Sequence, residues 1–367
     1  MSDSLLHQIA LTKIPLIGAI TAKTLVSYCG SAEGVFHASK KELFKIPGIG
    51  EVLVRNILDA RPDALAEQEV DFLTQHRIHA LFYTDERFPT RLRQCNDSPA
   101  LVYFKGSDLA LLNAARMVAV VGTRQPTEHG RAICEEIVEG LKPYNVMIIS
   151  GLAYGVDVTA HRKASACGLP NIGVLGHGLS TIYPNDHRSV ALKMLEHGGL
   201  LTEFTSQTKP DRENFPMRNR IIAGMCDALL VVESGASGGS MITAELAHQY
   251  GRDLFAIPGR IRDAKSAGCN VLIKSERARL VENVSDLAAA MMWSQDGRPK
   301  PIQTKLFHDL SPIEKTVLDL IIHTPEIAID QIANAVRLPP GELATHVLSL
   351  EFKGLIKTLP GKRYVAL

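Results

Sequence analysis

Between residues 117 and 257, six short runs of β-branched and other apolar residues alternate with stretches of helical periodicity. Strands that alternate with helices in this way predict a parallel sheet with helices on both faces. A turn rich in glycine or serine follows nearly every run. The predicted strands are Met117–Val121, Val146–Ile149, Ile172–Leu175, Leu200–Glu203, Ala228–Glu233 and Asp253–Ile257. The pattern therefore predicts an α/β core of the Rossmann-like type.

Four of these turns contain enough small residues to bind an anion. They are residues 121–124, 150–157, 176–178 and 237–243. A helix that follows such a turn presents free backbone N–H groups and the positive end of its dipole, and glycine lets a phosphate approach the backbone closely. Ligands bind at the carboxyl edge of open α/β sheets. Four such turns on one edge predict a polyphosphate or a run of phosphodiesters as the ligand.

Arginine side chains accompany these turns. Arg124 directly follows the first turn, and Arg218 and Arg220 lie near the start of a predicted helix. Arginine binds phosphate in a bidentate manner, so all three are candidates for ligand contact. For Arg218 and Arg220, an internal ion pair with Glu203 or Glu233 is an equally good interpretation.

The chain as a whole is nearly neutral. It has 40 Lys and Arg against 39 Asp and Glu, a formal net charge of +1. Bulk charge therefore does not hold a polyanion, and a nucleic-acid site has to be a local basic patch. We expect neither a membrane span nor a signal peptide. The six cysteines form no closely spaced pair, which argues against a zinc site or a disulfide framework and favours a cytoplasmic location.

Residues 1–70 are predicted to form short helices. The segment Lys45–Glu51 places Gly48 and Gly50 in a tight turn before an apolar-periodic helix. This arrangement is typical of a helix-hairpin-helix, a module that contacts nucleic-acid backbones through amides of the turn. The segment holds seven basic and eight acidic side chains, so a turn used only for packing is the competing interpretation.

Residues 306–367 follow a linker that contains proline and glycine, residues 296–305. Ser311 and Glu314 predict a capping box at the start of a first helix. Two further helices and two strands around a turn at Pro360 and Gly361 complete the order of a winged helix-turn-helix. Residues 305–367 hold seven basic and seven acidic side chains. Duplex binding and protein contact therefore both remain open, because a neutral surface binds phosphates poorly.

Several enzyme classes do not fit the sequence. There is no GxxxxGK[ST] motif, which excludes a P-loop NTPase, and the strict GxGxxG fingerprint of a dinucleotide oxidoreductase is absent. Ser150, Asp157 and His161 could suggest a hydrolytic triad, but Ser150 is not in a GxSxG turn. Caps and loop packing are the favoured roles for these three side chains.

A series of ordered motifs closely resembles the DprA/Smf family of DNA-processing proteins, over about residues 75–285. The motifs are VGTR, SGLAYGVDVTAH, GHGLSTIYP, EF, FPMRNRIIAG, SGASGGSMITAELA, GRDLFAIPG and AGCNVLI. The resemblance implies three domains: a helix-hairpin-helix (SAM-like) domain at 1–70, a Rossmann-like domain at 71–295 and a winged-helix domain at 306–367.

The resemblance also implies a function. Members of the family bind and protect incoming single-stranded DNA, form dimers through the Rossmann-like domain, and load a RecA-type recombinase during natural transformation. They act without catalysis, so we expect no catalytic residue, cofactor or metal here. The DNA-binding residues that the family motifs imply are Gly122, Thr123, Arg124, Ser150, Gly151, Asn185, Arg188, Arg218, Asn219, Arg220, Ser237, Gly238, Ser240 and Thr243.

The chain departs from the family pattern in two places. The family often has a lysine after its Tyr-Pro pair, where this chain has Asn185 after Pro184. Arg188 is then the candidate to replace the missing cation, the alternative being a lower affinity. Residues 274–278 stand where the family has a Gly-Ala pair, which leaves the local turn open.

Two competing functions belong to other classes. Nucleoside-monophosphate N-glycosidic hydrolases of the LOG-like group resemble this domain and use a PGGxGTxxE motif. Residues 237–245 keep its glycine pair and a glutamate, Glu245, but lack the proline and the GT. A transcription factor that uses its winged helix would instead prefer duplex DNA, which the neutral charge of that domain disfavours.

Overall fold

The computed structural model describes residues 3–294, 310–324, 327–336, 338–353, 355–359 and 363–366. The chain divides into two compact units, Met1–Arg298 and Pro299–Leu367, and each is described by itself. The predicted linker and the predicted turn at Pro360 and Gly361 lie outside the described residues. The boundaries of the three predicted domains stay predictions.

The first unit begins with six helices that pack around an apolar core. They are α1 (Asp3–Lys13), α2 (Ala19–Cys29), α3 (Ala32–His37), α4 (Lys40–Leu43), α5 (Glu51–Asp59) and α6 (Pro62–His76). Gly48 has a φ of +79° and Gly50 is the N-cap of α5, so the predicted hairpin between α4 and α5 is confirmed.

A second hairpin joins α1 and α2, and it was not predicted. Its sequence Ile14–Gly18, Ile-Pro-Leu-Ile-Gly, repeats the Ile-Pro-Gly-Ile-Gly of Ile46–Gly50. Leu16 takes the place of the first glycine and has the same left-handed backbone, with a φ of +68°. The side-chain amide of Asn56 donates to the carbonyl of Pro15, 3.0 Å away. The hairpins therefore form a tandem pair.

Within the described residues, nine strands form the central sheet in the order β1-β2-β6-β5-β4-β3-β7-β8-β9. They are β1 (His79–Phe82), β2 (Leu101–Gly106), β3 (Met117–Val121), β4 (Met147–Ser150), β5 (Asn171–Val174), β6 (Gly199–Thr202), β7 (Ala228–Val231), β8 (Asp253–Ala256) and β9 (Arg279–Leu280). The six predicted strands, β3 to β8, are confirmed and pair in parallel. The strands β1 and β2 were not predicted and pair antiparallel.

Helices cover both faces of this sheet. They are α7 (Thr90–Arg93), α8 (Glu128–Gly140), α9 (Val156–Cys167), α10 (Arg188–His197), α11 (Asn214–Met225), α12 (Gly239–Gln249), α13 (Ala267–Lys274) and α14 (Val284–Ala290), with short 3₁₀ turns at Leu109–Asn113, Lys142–Tyr144 and Asn185–His187. In β3, Met117, Ala119 and Val121 pack with α11 to α13, and Val118 and Val120 pack with α8, α9 and α14. Burial on both faces explains why the strand is a continuous apolar run.

The order of the sheet reverses between β3 and β7. From β3 the chain proceeds through β4, β5 and β6 on one side, and β7, β8 and β9 extend the sheet on the other side. The loops that leave the carboxyl ends of β3 and β7 therefore diverge to opposite faces. A crevice opens between them, which is where ligands bind in open α/β sheets.

The second unit is a winged helix, as predicted. It contains α15 (Pro312–His323), β10 (Ile327–Ala328), α16 (Ile329–Val336), α17 (Pro340–Phe352), β11 (Ile356–Leu359) and β12 (Arg363–Ala366), with the strands in the order β10-β12-β11. The predicted capping box of Ser311 and Glu314 is present. None of the described helices has the length and apolar character needed to cross a membrane.

Candidate nucleic-acid interface

A cleft of about 620 Å³ opens at the switch point of the sheet, between the loops after β3 and β7 and the starts of α11 and α12. The parallel pairing brings the predicted turns to this one edge, as expected. Nine of the predicted site residues line the cleft: Gly122, Thr123, Arg124, Arg218, Asn219, Ser237, Gly238, Ser240 and Thr243.

A smaller apolar recess of about 120 Å³ adjoins the cleft. Tyr154, Tyr183 and Phe215 contribute aromatic rings to the recess. Arg124 and Arg218 line both the recess and the cleft. The guanidinium carbon of Arg124 lies 5.8 Å from the centre of the Phe215 ring. Phosphate-binding and ring-stacking groups therefore meet at the boundary between the cleft and the recess.

Direct contacts tie the loops of the cleft together. The amide of Thr123 donates to the carbonyl of Glu233 at 2.7 Å, and the amide of Val156 donates to the carbonyl of Thr123 at 3.2 Å. Gly155 has a φ of +85°, and a Cβ there would lie 2.3 Å from the Thr123 carbonyl oxygen. Only glycine fits this contact. The loops after β3, β4 and β7 thus form one connected edge.

Arg218 occupies the floor of the cleft, where it is 5% exposed. Its guanidinium donates to the carbonyl of Val174 and to Oδ1 of Asn219. A Cβ on Gly151 would lie 2.4 Å from the Asp157 carboxylate and 2.5 Å from the Arg218 guanidinium. Gly151 therefore makes room for both charged groups.

The charges in the cleft are unequal. Burial lowers the pKa of Arg218 and raises the pKa of Asp157, the one carboxylate that lines the cleft within the described residues. Arg124 is exposed, and its charge also lowers the pKa of Arg218. The ion pairs of the described chain include neither arginine. Two guanidinium groups thus face a single buried carboxylate, an arrangement that favours an anionic ligand.

Arg220 has a different environment. Its guanidinium forms an ion pair with Glu203 and donates to the carbonyl of Asp97. The side chains of the pair are each 12% exposed, and Arg220 does not line the cleft. For Arg220, the structure therefore contains the internal ion pair that was the alternative to ligand contact. Glu233 pairs with no arginine within the described residues, because its carboxylate accepts from the amide and hydroxyl of Thr127 at the start of α8.

The predicted hydroxyl groups are engaged inside the protein. Ser150 is fully buried and donates to the carbonyl of Val120 at 2.6 Å. The hydroxyls of Ser240 and Ser234 lie 2.8 Å apart, and Thr243 donates to the carbonyl of Gly239 at 2.9 Å. In this region the segment of residues 237–239, at the start of α12, is exposed, whereas Ser240 and Thr243 are buried.

Asn185 and Arg188 are both exposed. Asn185 begins the 3₁₀ turn before α10, and Arg188 is the first residue of α10. Tyr183, two residues earlier, lines both the cleft and the recess, but neither Asn185 nor Arg188 does. The proposal that Arg188 replaces the family lysine stays a prediction. Arg212 was not predicted, although it is exposed and lines the cleft. It stands between Asp211 and Glu213, so no local basic cluster marked it in the sequence.

The structure gives no support to a triad. The ring nitrogens of His161 lie 2.7 Å from the carbonyl oxygen of Gly151 and 3.0 Å from Oδ1 of Asn171. Burial lowers the pKa of His161 to about 4. Ser150 donates to the backbone of β3. These are the packing roles that the sequence favoured.

Comparison with known proteins completes the assignment of the chain. A family model described as DNA recombination-mediator protein A matches residues 79–292, more than half of the chain. The chain belongs to the DprA/Smf family. Models of the DprA winged helix domain and of a SAM-like helix-hairpin-helix tandem match residues 304–362 and 9–61. The family resemblance of the motifs is thereby confirmed.

Individual DprA/Smf relatives agree with this result. Protein Smf of Escherichia coli is 33% identical over 82% of this chain and 80% of its own length. DNA processing protein DprA of Streptococcus pneumoniae is 40% identical over 56% of this chain and 71% of its own length. The similarity extends to three-dimensional structure. The X-ray structure of DprA from Streptococcus pneumoniae superposes on this chain with a TM-score of 0.66 and 30% sequence identity, over 79% of this chain and 98% of that one.

DNA processing protein A from Helicobacter pylori, whose structure concerns a single-stranded DNA binding mode, has a TM-score of 0.54. It is 28% identical to this chain, and the similarity covers 59% of this chain and 96% of that one. This chain therefore shares the DprA fold and is a DNA-processing protein by family.

Proposed function

We propose that this DprA/Smf protein binds single-stranded DNA in the cleft at the carboxyl edge of its sheet. The observation that carries the proposal is the excess of positive charge there: Arg124 and Arg218 line an open cleft with one buried carboxylate, Asp157. Such a site is stabilised when an anion enters it. Support also comes from the family and from the binding mode described for the Helicobacter pylori protein.

The phosphates would be held by two kinds of donor. The exposed residues 237–239 present backbone amides at the N-terminus of α12, where the helix dipole favours an anion. Arg124 supplies an exposed guanidinium, and Arg212 a second one on the same cleft. With three or four neutralised phosphates, the slope of log K against log salt would be about −2 to −3.

Bases would be held less specifically than phosphates. Tyr154, Tyr183 and Phe215 are the rings near the path of the strand. Stacking on one or two of them tolerates any base, since every base has a π-face. We therefore expect little sequence preference.

The same cleft is better suited to binding than to catalysis. The hydroxyls of Ser150, Ser240 and Thr243 are already hydrogen-bonded within the protein. Glu245, the glutamate of the N-glycosidase alternative, pairs with Arg277 at 2.6 Å and does not line the cleft. Neither placement favours a nucleophile or a general acid, so we propose a binding protein.

The biological role is proposed from the family. Protection of incoming single strands, loading of a RecA-type recombinase during natural transformation, a homodimer through the Rossmann-like domain and a cytoplasmic location are all expected from DprA/Smf membership. DNA binding is the step that the cleft itself supports.

Fluorescence anisotropy with a labelled single strand of about 20 nucleotides tests the proposal. The variants are Arg124→Glu and the matched control Arg162→Glu, an exposed and unpaired arginine of α9 in the described chain that does not line the cleft. We expect Arg124→Glu to weaken binding at least about tenfold at low salt, and Arg162→Glu to change it less than about twofold. Equal binding of a blunt duplex, or equal effects of the two variants, would contradict the assignment.

A further inference from the structure

A loop after β8 carries three cations at the same edge of the sheet. We call residues 258–266, between β8 and α13, the basic loop; its sequence is Pro-Gly-Arg-Ile-Arg-Asp-Ala-Lys-Ser. Arg260 and Arg262 are exposed, and the side chain of Ile261 between them is 96% exposed. The DNA-binding site assigned above does not use any of these residues.

Contacts hold the basic loop against both loops of the switch point. The ammonium group of Lys265 donates to the carbonyl of Gln125 at 2.7 Å, directly beside Arg124. Directly after the basic loop, at the start of α13, the amide of Gly268 donates to the carbonyl of Ser234 at 2.9 Å. A Cβ on Gly235 would lie 3.7 Å from the carbonyl oxygen of Ala264. The basic loop therefore lies beside the loops of the switch point, although none of its residues lines the cleft itself.

Beside the basic loop, a recess of about 670 Å³ extends toward the start of α8. Two carboxylates line it, Glu233 and Asp263. Glu233 accepts from Thr127, and Asp263 accepts from the backbone amide of Lys265 at 2.9 Å. Both carboxylates are thus engaged by neighbouring donors.

The two exposed guanidinium groups have no such partners. Among the ion pairs of the described residues, none includes Arg260 or Arg262. The loop whose Lys265 contacts Gln125, next to Arg124, therefore adds two exposed arginines that are outside any ion pair of the described residues. Their spacing at alternate positions of an exposed loop suits consecutive groups of a flexible polyanion.

We propose that a single strand leaving the cleft at Arg124 continues over the basic loop, where Arg260 and Arg262 bind further phosphates. The inference rests on the proposed function, since it extends the path of the same ligand. It makes the footprint longer than the cleft. Short strands fill the cleft alone, and longer strands use the basic loop as well.

Two lengths of oligonucleotide separate the cleft from the basic loop. Labelled strands of about 6 and about 20 nucleotides lie within and beyond the usual site size of a single groove. We expect Arg260→Glu/Arg262→Glu to weaken binding of the longer strand about tenfold and of the shorter strand less than about twofold. The salt slope of the longer strand should become shallower by about 1.4, the value for two phosphates of a single strand.

The control Arg162→Glu/Lys193→Glu makes the same change in net charge at exposed positions of α9 and α10. It should affect both lengths equally and weakly. The inference is wrong if the variant of the basic loop behaves like this control, or if it weakens both lengths to the same extent. Arg124→Glu on the shorter strand tests the cleft itself, so failure of the proposed function is seen separately. Arg260→Gln/Arg262→Gln should give the same length dependence with a smaller effect.

Discussion

The cleft of the central sheet and the third helix of the winged helix lie where their folds commonly bind ligands: the crevice of an α/β sheet binds nucleotides, and the helix-turn-helix binds DNA. In the cleft, Arg124 and Arg212 are exposed and free of ion pairs within the described chain. On α17, the exposed side chains include Glu342 and Glu351 together with Phe352, which is 84% exposed. The comparison teaches that a fold supplies a shape, while uncompensated charge decides whether a polyanion binds to it.

The largest expected effect is a loss of stability when a glycine of the cleft with no room for a Cβ is replaced, compared with a glycine of the winged helix that has room for one. At Gly155, a Cβ would meet the backbone of Thr123 and Arg124 at 2.3–2.7 Å, whereas at Gly341 nothing lies within 4 Å. We expect Gly155→Ala to lower the free energy of unfolding of the first unit by about 3 kcal/mol or more. Urea unfolding followed by the fluorescence of Trp293, the one tryptophan of the chain, measures it.

Gly341→Ala is the matched control in α17. An alanine in place of a helical glycine should raise stability by up to about 1 kcal/mol, because it reduces the freedom of the unfolded chain. A Gly155→Ala variant as stable as the wild type would show that the loops of the cleft move enough to accept a Cβ. The expected difference in stability between substitution at Gly155 and at Gly341 would then be absent.

Acid should act on the two units in different pH ranges. In the first unit, burial lowers the pKa of His161 to about 4 from an ordinary 6.5. His161 is therefore protonated below about pH 6.5 in the unfolded chain, but only below about pH 4 in the folded chain. Stability from this group is complete above pH 6.5 and is lost as the pH falls to 4, by up to about 3 kcal/mol.

His161→Gln isolates this contribution. The pKa of His177 is also lowered by burial, while the pKa values of Asp157 and Glu203 are raised by burial and act in the opposite direction. Only the difference between the variant and the wild type belongs to His161. Urea unfolding at several pH values between 6.5 and 4 should show a flatter profile in the variant, and identical profiles would refute the assignment.

In the winged helix, Glu314 should govern a lower pH range. Its carboxylate accepts from Lys353 at 2.8 Å and from Ser349 at 2.6 Å, and these hydrogen bonds lower its pKa to about 2 from 4.5. Stability from Glu314 is complete above pH 4.5 and is lost between pH 4.5 and 2. At neutral pH, Glu314→Gln should cost about 1 kcal/mol, because the cap of α15 is weakened. Circular dichroism at acid pH should show that the variant loses less structure than the wild type between pH 4.5 and 2.

The smallest expected effect is a gain of duplex binding by the winged helix. Glu342→Lys/Glu351→Lys reverses two exposed charges near the two ends of α17, and we expect affinity for a blunt duplex to rise about fivefold at low salt. Asp319→Lys/Asp330→Lys makes the same change in charge on α15 and α16 and should do less. Anisotropy with duplex and single strands measures both, and a gain confined to single strands would contradict the comparison.

The strands of the parallel sheet were predictable because burial on both faces makes each of them an apolar run. The run Leu101–Phe104 in β2 is equally apolar and fully buried. It was not recognised because no helical stretch of comparable length separates it from β1, and its antiparallel pairing breaks the alternating pattern. The first hairpin was missed for a different reason: Leu16 stands where a glycine would have marked the turn.

The candidate site was predicted at the level of loops and less well at the level of side chains. Arg218 and Arg220 are two positions apart on a helix, so their side chains point about 200° apart, and only one of them could face the cleft. That geometry was available from the sequence. The buried hydroxyl of Ser150 was not, because its acceptor on Val120 belongs to a neighbouring strand whose register only the fold determines.

Contacts among the loops after β3, β4 and β7 shape the cleft before any ligand arrives. A strand bound there as proposed would not have to order a segment of the protein first, so the protein would lose little conformational entropy on binding. Association would then be limited by diffusion and by the attraction between phosphates and arginines, and we expect its rate to fall as salt rises. The lifetime of the complex depends instead on contacts inside the cleft. Under the proposed function, a few hydrogen bonds between loops would thus favour fast capture of a strand.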